Sequence, residues 1–272
     1  MKLVHLVWAP VGPDALLRFV ESYRRHPAGA EHSLLVVFKG FAPGQDLRPW
    51  RQALAGVAYD ELQVEADCVD LGTYRDVIEQ VEAPCYCFLN SGTVVLADGW
   101  LATIVRHLCE PAVGLVGASA SYESALTAAP PWLRPLRRDF QPFPNPHIRT
   151  NGFAIERDLA QSLDWPRARS KLDAWKLESS RASLTRQVLA HGHQVIVVGR
   201  DGVAYPPERW RESATFRCGR QANLLLGDNR TRQWENGSPA LQRRLERMAW
   251  GGPRRALVPR LTDRLRLLGR RA

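Results

Sequence analysis

Apolar positions along the chain fall into two alternating patterns. Short continuous runs occur at residues 2–9, 33–38, 85–89, 113–118 and 194–198, with a weaker one at 62–66 and a strand-like stretch from Ile148 to Ile155. Runs of this kind, bounded by turn residues, predict strands buried on both faces. Between them, apolar residues recur at helical spacing. Leu16, Leu17, Val20 and Tyr23 mark a helix over 14–26, with Pro13 just ahead of it, and Tyr74, Val77, Ile78 and Val81 mark another over 72–81. A helix over 100–109 follows the turn Ala97-Asp98-Gly99, a short one is predicted at 46–55, and a long one runs from Asp173 to His191, where Gly192 stops it. Residues 213–235 read as a loop and helix. The alternation gives an α/β fold: a Rossmann-like, mostly parallel sheet with helices on both faces.

The pattern breaks between Ser119 and Pro146, where prolines stand at 130, 131, 135, 142, 144 and 146. A long irregular stretch inside a compact domain is more often a functional loop than filler. It changes again near the end. From Leu241 to Ala272 ten arginines face only Glu246 and Asp263, so this segment carries +8 of the formal +9 and the body is nearly neutral. Leu257, Leu261, Leu265 and Leu268 make one apolar stripe if helical, and Leu241, Leu245 and Met248 make a shorter one before Gly251-Gly252-Pro253. The expected organisation is one domain over 1–238 and a basic amphipathic helical tail over 239–272. A basic helix of this type lies on an anionic membrane surface rather than spanning it. The competing reading packs the leucine stripe on the body or on a second subunit. The neutral body argues against nucleic acid as a partner.

At 272 residues the chain can bury a large core. No apolar run approaches the ~20 residues of a membrane helix. The opening segment has one positive charge and meets Pro10 and Gly12 too soon for a signal peptide, so a cytoplasmic protein is expected. Cys68, Cys85, Cys87, Cys109 and Cys218 are odd in number and irregularly spaced. They read as buried thiols used as small apolar residues, without zinc spacing.

In open α/β sheets, ligands bind beyond the carboxyl ends of the strands. Here the first strand exits at Trp8-Ala9-Pro10 and the second at Lys39-Gly40. The weak third leads to Asp70-Leu71-Gly72-Thr73-Tyr74, and the strong run at 85–89 exits at Asn90-Ser91-Gly92-Thr93. Together these ends make one candidate crevice. There is no Walker-type loop, no Gly-x-Gly-x-x-Gly after the first strand and no Gly-x-Ser-x-Gly elbow, which removes the usual support for kinase, NAD-enzyme and serine-hydrolase readings. On the predicted 173–191 helix, Glu178, Arg181 and Thr185 share a face. Glu178 is either a general base aimed into the crevice from a helix N-terminal turn or half of a solvated ion pair.

Four pieces together resemble the glycosyltransferase-A fold, in particular the family-2-like bacterial sugar transferases, over about residues 1–235. Phe88-Leu89-Asn90-Ser91-Gly92-Thr93, running on through Asp98-Gly99-Trp100-Leu101, is similar to the stretch around that family's metal-binding Asp-x-Asp. His147-Ile148-Arg149-Thr150-Asn151-Gly152-Phe153 resembles its acceptor-side strand, and Trp175-Lys176-Leu177-Glu178 the acidic motif that supplies its general base. The helix, Gly192 and strand over 186–198 are similar to its closing unit. The resemblance implies a hexosyl- or related transferase moving a sugar from a nucleoside-diphosphate sugar to the hydroxyl of a sugar or lipid-linked acceptor, with cell-envelope glycan synthesis as a setting. It implies Glu178 as catalytic base and Trp8, Pro10, Lys39, Asp70, Tyr74, Asn90 and Ser91 as donor-binding residues. Arg149, Asn151 and Arg181 fall on the acceptor side. Asp228, Asn229 and Arg230, with the polar segment Arg217–Gln221, close over the diphosphate or are simply a polar helix end and turn. Two departures stand out. Asn90-Ser91-Gly92 has no carboxylate where the family puts its Mg or Mn ligands, and the second strand ends in Lys39-Gly40 rather than an acidic pair. Metal dependence is therefore expected to be weak or absent, with Lys39 placed to neutralise a diphosphate. A non-catalytic nucleotide- or sugar-binding relative is the alternative reading.

Overall fold

The structure is a computed structural model that describes residues 1–64, 70–126, 136–165 and 170–252. Its strands are β1 (Lys2–Trp8), β2 (Ser33–Lys39), β3 (Asp60–Val64), β4 (Cys85–Leu89), β5 (Val94–Val95), β6 (Val113–Gly117), β7 (Ala120–Ser121), β8 (His147–Ile148), β9 (Gly152–Glu156), β10 (Gln194–Val198), β11 (Ala204–Tyr205) and β12 (Leu226–Gly227). Its helices are α1 (Pro13–Arg25), α2 (Arg48–Ala53), α3 (Asp70–Gln80), α4 (Trp100–Leu108), α5 (Leu136–Asp139), α6 (Arg157–Ser162), α7 (Lys171–Ser179), α8 (Leu184–Ala190), α9 (Asn229–Glu235) and α10 (Pro239–Trp250).

Eight strands form one sheet in the order β11-β10-β6-β9-β4-β1-β2-β3, while β5 pairs with β12 and β7 with β8 in short ribbons. β1 lies parallel to β2 and β4, β2 to β3, and β6 to β10. β9 runs antiparallel between β4 and β6, and β11 closes one edge antiparallel to β10. The carboxyl ends of β1, β2, β3, β4, β6 and β10 therefore emerge on one side, where β9 begins. This is the mainly parallel sheet expected from the sequence.

Both faces are covered, which is why the strands read as continuous apolar runs. On one face Val4, Leu6, Leu35, Val37, Tyr86 and Phe88 meet Tyr74, Val77 and Ile78 of α3, Leu177 of α7 and Leu184 and Val188 of α8. On the other, Leu3, Val7, Leu34, Val36, Phe38 and Leu89 meet Leu16, Phe19 and Val20 of α1, Trp50 of α2 and Trp100 and Ile104 of α4. The exception is His5, fully buried in the middle of β1. Its ring lies flat on Phe19 at 3.8 Å, and neither ring nitrogen has a partner among the described residues. Burial drives its pKa down to about 3, so the imidazole is neutral.

Three expectations change. The helix predicted over 173–191 is two helices, α7 and α8. Ser180 leaves α7 in an extended conformation and bridges to Phe140, and the Arg181 N–H donates to the Asp139 carbonyl at 2.8 Å. The pull comes from a segment 40 residues away, and the serines at 180 and 183 do not resist it. Glu178 therefore sits in the last turn of α7, not in a helix N-terminal turn, and Glu178, Arg181 and Thr185 do not share one face. The strand predicted over 148–155 is interrupted by a turn at Arg149–Asn151 between β8 and β9. Finally, Cys87 and Cys218 are buried, but Cys85 is half-buried and Cys109 exposed; Cys68 lies outside the described residues.

Residues 239–250 of the expected tail form α10, which packs on the sheet domain. Leu245, Ala249 and Trp250 are buried, the Ala249 carbonyl accepts from the Tyr122 N–H at 2.9 Å, and Trp250 Nε1 donates to the Phe216 carbonyl at 2.6 Å. Leu257, Leu261, Leu265 and Leu268 lie outside the described residues. Among the described residues no helix is long and apolar enough to cross a membrane.

Candidate functional site

Two groups of residues gather where the parallel strands end. The first lies beyond β1 and β2. Trp8 closes β1 with 44% of its surface exposed, and the chain then turns through a short 3-10 helix that exposes Pro10. Gly40, after β2, has φ +74, and a Cβ there would stand 3.3 Å from the Trp8 indole. The indole thus lies against the end of β2, where only glycine fits both the backbone and the space. Lys39, in register with Trp8, is buried. Asp70 opens α3, and its side chain lies outside the described part of the structure. Tyr74 is fully buried, with its ring 4.5 Å from Phe88 and 5.9 Å from Phe153, so it belongs to the core.

The second group lies beyond β4, β9 and β6. Asn90 closes its own turn: its Oδ1 accepts from the Gly92 N–H at 2.9 Å and stands 3.1 Å from the Thr93 hydroxyl. The Asn90 N–H donates to the Asn151 carbonyl at 3.4 Å, with the Thr93 hydroxyl 3.0 Å from the same oxygen. The β5–β12 ribbon brings Gly227 opposite Val94 and so carries Asp228 to this turn, and Arg232 Nη1 donates to the Gly92 carbonyl at 3.4 Å.

Arg149 joins these parts. Its Nη2 donates to Asp228 Oδ2 at 2.6 Å and its Nη1 to Ser119 Oγ at 3.2 Å. Ser119 Oγ in turn donates to Asn151 Oδ1 at 3.0 Å. The guanidinium lies 4.0 Å from the centre of the Phe216 ring, and Arg217 lies 4.7 Å from it. Arg217 is 2% exposed and donates to Glu123 Oε1 at 2.6 Å. Asp228 Oδ1 caps α9, accepting from the N–H groups of Arg230 and Thr231 at 2.9 and 2.8 Å. Burial opposes ionisation of Asp228, but the charge of Arg149 and these hydrogen bonds outweigh it and hold the carboxyl below its usual range. Burial likewise pushes the Arg217 guanidinium down, against the attraction of Glu123.

Glu178 reaches the Arg149–Asn151 turn from α7. Its Oε1 accepts from the N–H and the hydroxyl of Thr150, at 3.1 and 3.2 Å. Asn145 Nδ2, donating to the Ser179 carbonyl at 2.7 Å, pins the end of that helix. Arg181 is exposed in the turn that follows, and among the described residues no side-chain hydrogen bond ties it to the site. Asn229 and Arg230 are exposed at the start of α9.

The structure thus gathers Asn90, Ser91, Arg149, Asn151, Asp228 and Glu178 around two adjoining turns, Asn90–Thr93 and Arg149–Asn151, with Asn229 and Arg230 at the start of α9 beside them. Trp8 and Pro10, at the end of β1, and Lys39, at the end of β2, lie one and two strands away from β4. Sequence reasoning missed Ser119, Glu123, Thr150 and Phe216. Ser119 follows the exit of β6 and was detectable by the rule used for the other strands. The segment carrying Phe216 and Arg217 also holds Ala214, Arg217, Arg220 and Gln221 at φ of 51°, 48°, 55° and 51°. Such left-handed residues cost roughly 1 kcal/mol each and concentrate where surrounding structure over-determines them.

The donors present do not fit the divalent metal that the family resemblance implies. Gly92 offers no side chain, Asn90 Oδ1 closes its own turn, and both Asp228 oxygens are engaged. Among the described residues no group of three or more His, Cys, Asp or Glu side chains is placed to hold a metal ion.

No protein-family model and no curated protein matches the chain. Among solved structures, it is similar to a mannosyltransferase from Pyrobaculum calidifontis in complex with GDP-mannose and Mn2+, at 14% identity over 79% of this chain and 59% of that one, with a TM-score of 0.49. It is also similar to glucosyl-3-phosphoglycerate synthase from Mycobacterium tuberculosis in complex with Mn2+, UDP and glucosyl-3-phosphoglycerate, at 14% identity over 71% of this chain and 68% of that one, with a TM-score of 0.46. With TM-scores below 0.5, neither partial likeness fixes an activity.

Proposed function

We propose that this protein is a glycosyltransferase that moves a sugar from a nucleoside-diphosphate sugar to an acceptor hydroxyl. One observation carries the reading: two successive residues of the turn at the mouth of the parallel strands anchor the two groups, Arg149 tied to Asp228 and Thr150 holding Glu178 of α7. A carboxylate base and a fixed cation anchored on successive residues of one turn suit direct displacement at an anomeric carbon. Glu178 takes the proton of the acceptor hydroxyl, and the freed oxygen forms a bond to the anomeric carbon. The bond from that carbon to the phosphate oxygen breaks, and its electron pair leaves with the nucleoside diphosphate. The half-buried position of Glu178 leaves it a solvent-side approach for the acceptor, past the exposed Arg181. On the donor side, Trp8 offers an indole face to the base, with Pro10 and Lys39 beside it and Asn90 and Ser91 nearer the sugar.

A sugar or lipid-linked acceptor of the cell envelope and a cytoplasmic, membrane-peripheral setting belong to the same reading. Each arginine of a basic tail near an anionic surface is worth about 1 kcal/mol. The full chain should show a raised melting temperature with one nucleoside diphosphate and its sugar conjugates. At a hundred times Kd the gain is about 2.7 kcal/mol, or several degrees for a chain of this length. No shift with any common nucleoside diphosphate or nucleotide sugar at millimolar concentration overturns the nucleotide reading. The Asn90-Ser91-Gly92 turn, without carboxylates, favours a second reading as a non-catalytic binding relative, which predicts the same shifts with no release of nucleoside diphosphate from any nucleotide sugar.

A further inference from the structure

We propose that Arg149 does at this site what a divalent metal does in related chemistry: it receives the charge of the leaving diphosphate. The proposal rests on the sugar-transferase reading and assigns the cation within it.

The starting point is the mismatch between donor set and metal. A metal needs unclaimed oxygen ligands, and the Asp228 carboxylate, which the β5–β12 ribbon carries to the Asn90–Thr93 turn, already faces a guanidinium at 2.6 Å. What the turn has in surplus is donors. Two hydrogen bonds engage Arg149, leaving the rest of its N–H fork for an oxyanion. Asn151, 3% exposed, has an Nδ2 with no acceptor among the described residues, although its Oδ1 is bound to the same Ser119 hydroxyl that Arg149 touches. Ser91 Oγ, inside the turn, is likewise buried without a partner among the described residues. Buried donors without acceptors are destabilising unless something fills them, and phosphate oxygens are acceptors only.

The support around Arg149 suits the task. Asp228 keeps the buried guanidinium paired when no ligand is present. Phe216 fixes its plane from one side, and Arg217, locked to Glu123 and held on a left-handed backbone, braces the same ring. Arg217 is a positioning residue here, since its contacts are the Phe216 ring and Glu123 and it acts on Arg149 through that ring. Arg230, exposed at the rim, adds a cation without a carboxylate of its own among the described residues. When the anomeric carbon–oxygen bond breaks, the electron pair moves onto the terminal phosphate oxygen, and the N–H fork of Arg149 is the preorganised donor for it.

Calorimetric titration of the full chain with UDP, GDP and the matching monophosphates, in EDTA and in Mn2+, tests this. The expected result is diphosphate binding in EDTA within about threefold of that in Mn2+. The double variant R149Q/D228N removes both buried charges together, so neither is stranded. It should lose roughly 10- to 100-fold in diphosphate affinity, the usual worth of a charged hydrogen bond, with little change for the monophosphate. Diphosphate binding that requires Mn2+ overturns the proposal and leaves the nucleotide reading standing. A double variant that binds diphosphate as wild type does also overturns it. Binding of no nucleotide in either buffer sinks the nucleotide reading itself, and the proposal with it. If the variant does not fold, the wild-type comparison between EDTA and Mn2+ still decides.

Discussion

Replacing His5 by leucine should stabilise the protein, and by more as the pH falls. The wild-type imidazole is fully buried in β1 with both nitrogens unpartnered. Each such group costs about 1–3 kcal/mol, set against roughly 0.5–1.5 kcal/mol lost with the Phe19 stack. A net gain of about 1 kcal/mol is expected for His5→Leu at pH 7.5. The pH dependence follows from linkage. In the folded state His5 titrates at about 3, against 6.5 when exposed, so between those values the unfolded chain binds a proton that the folded chain does not. Stability therefore falls as pH drops through that window, by about 1.4 kcal/mol per unit. At pH 5.0 the wild type should have lost about 2 kcal/mol that the variant keeps, giving a total gap of about 3 kcal/mol. Every other titrating group is common to both chains and cancels in the difference. Urea melts of the two proteins at pH 7.5 and 5.0 measure it. A gap of the same size at both pH values would refute the reasoning, because it would mean that His5 finds solvent or a partner.

Two further predictions concern the C-terminal segment. Trp250→Ala should destabilise the protein by about 3–5 kcal/mol in urea melts, since its indole is buried and bonded to the Phe216 carbonyl; a loss under ~1 kcal/mol would make α10 an appendage. Full-length protein should sediment with anionic vesicles while a chain ending at Gly252 stays in solution, because the arginines from Arg254 on and the leucine stripe are then missing. Equal sedimentation of the two removes the membrane role from the tail.

Much of the scaffold was legible because its signals are local. β1, β2, β4, β6 and β10 are covered on both faces, so their runs are apolar, with His5 in the middle of β1 as the exception. Tyr74 shows the limit of reading by position alone: it stands close to a strand exit, yet its spacing with Val77 and Ile78 places it on the buried face of α3. The break between α7 and α8 was not legible. Ser180–Ser183 are tolerated within helices, and what unwinds them is pairing with Asp139 and Phe140. The turn at 149–151 did leave a trace in Asn151-Gly152, a dipeptide that favours turns over continuous strand. At the site, residue types were readable and partners were not. Arg149 and Asp228 stand 79 residues apart, and Thr150 and Glu178 stand 28 apart. No periodicity encodes pairings that only the antiparallel insertion of β9 and the β5–β12 ribbon create.

The central claim is that Glu178 is the base of a sugar transfer, and release of nucleoside diphosphate from a bound nucleotide sugar tests it most directly. Water stands in for the acceptor hydroxyl, so the assay needs no knowledge of the acceptor. Wild-type protein and Glu178→Gln are compared at saturating donor, after thermal melts show both folded. The glutamine keeps an acceptor for the Thr150 N–H and hydroxyl, so position is preserved while basicity is lost. The account predicts slow release by the wild type and a rate at least ~100-fold lower in the variant, the usual scale for losing a general base. Rates within a few-fold of each other would remove Glu178 from the chemistry and contradict the account.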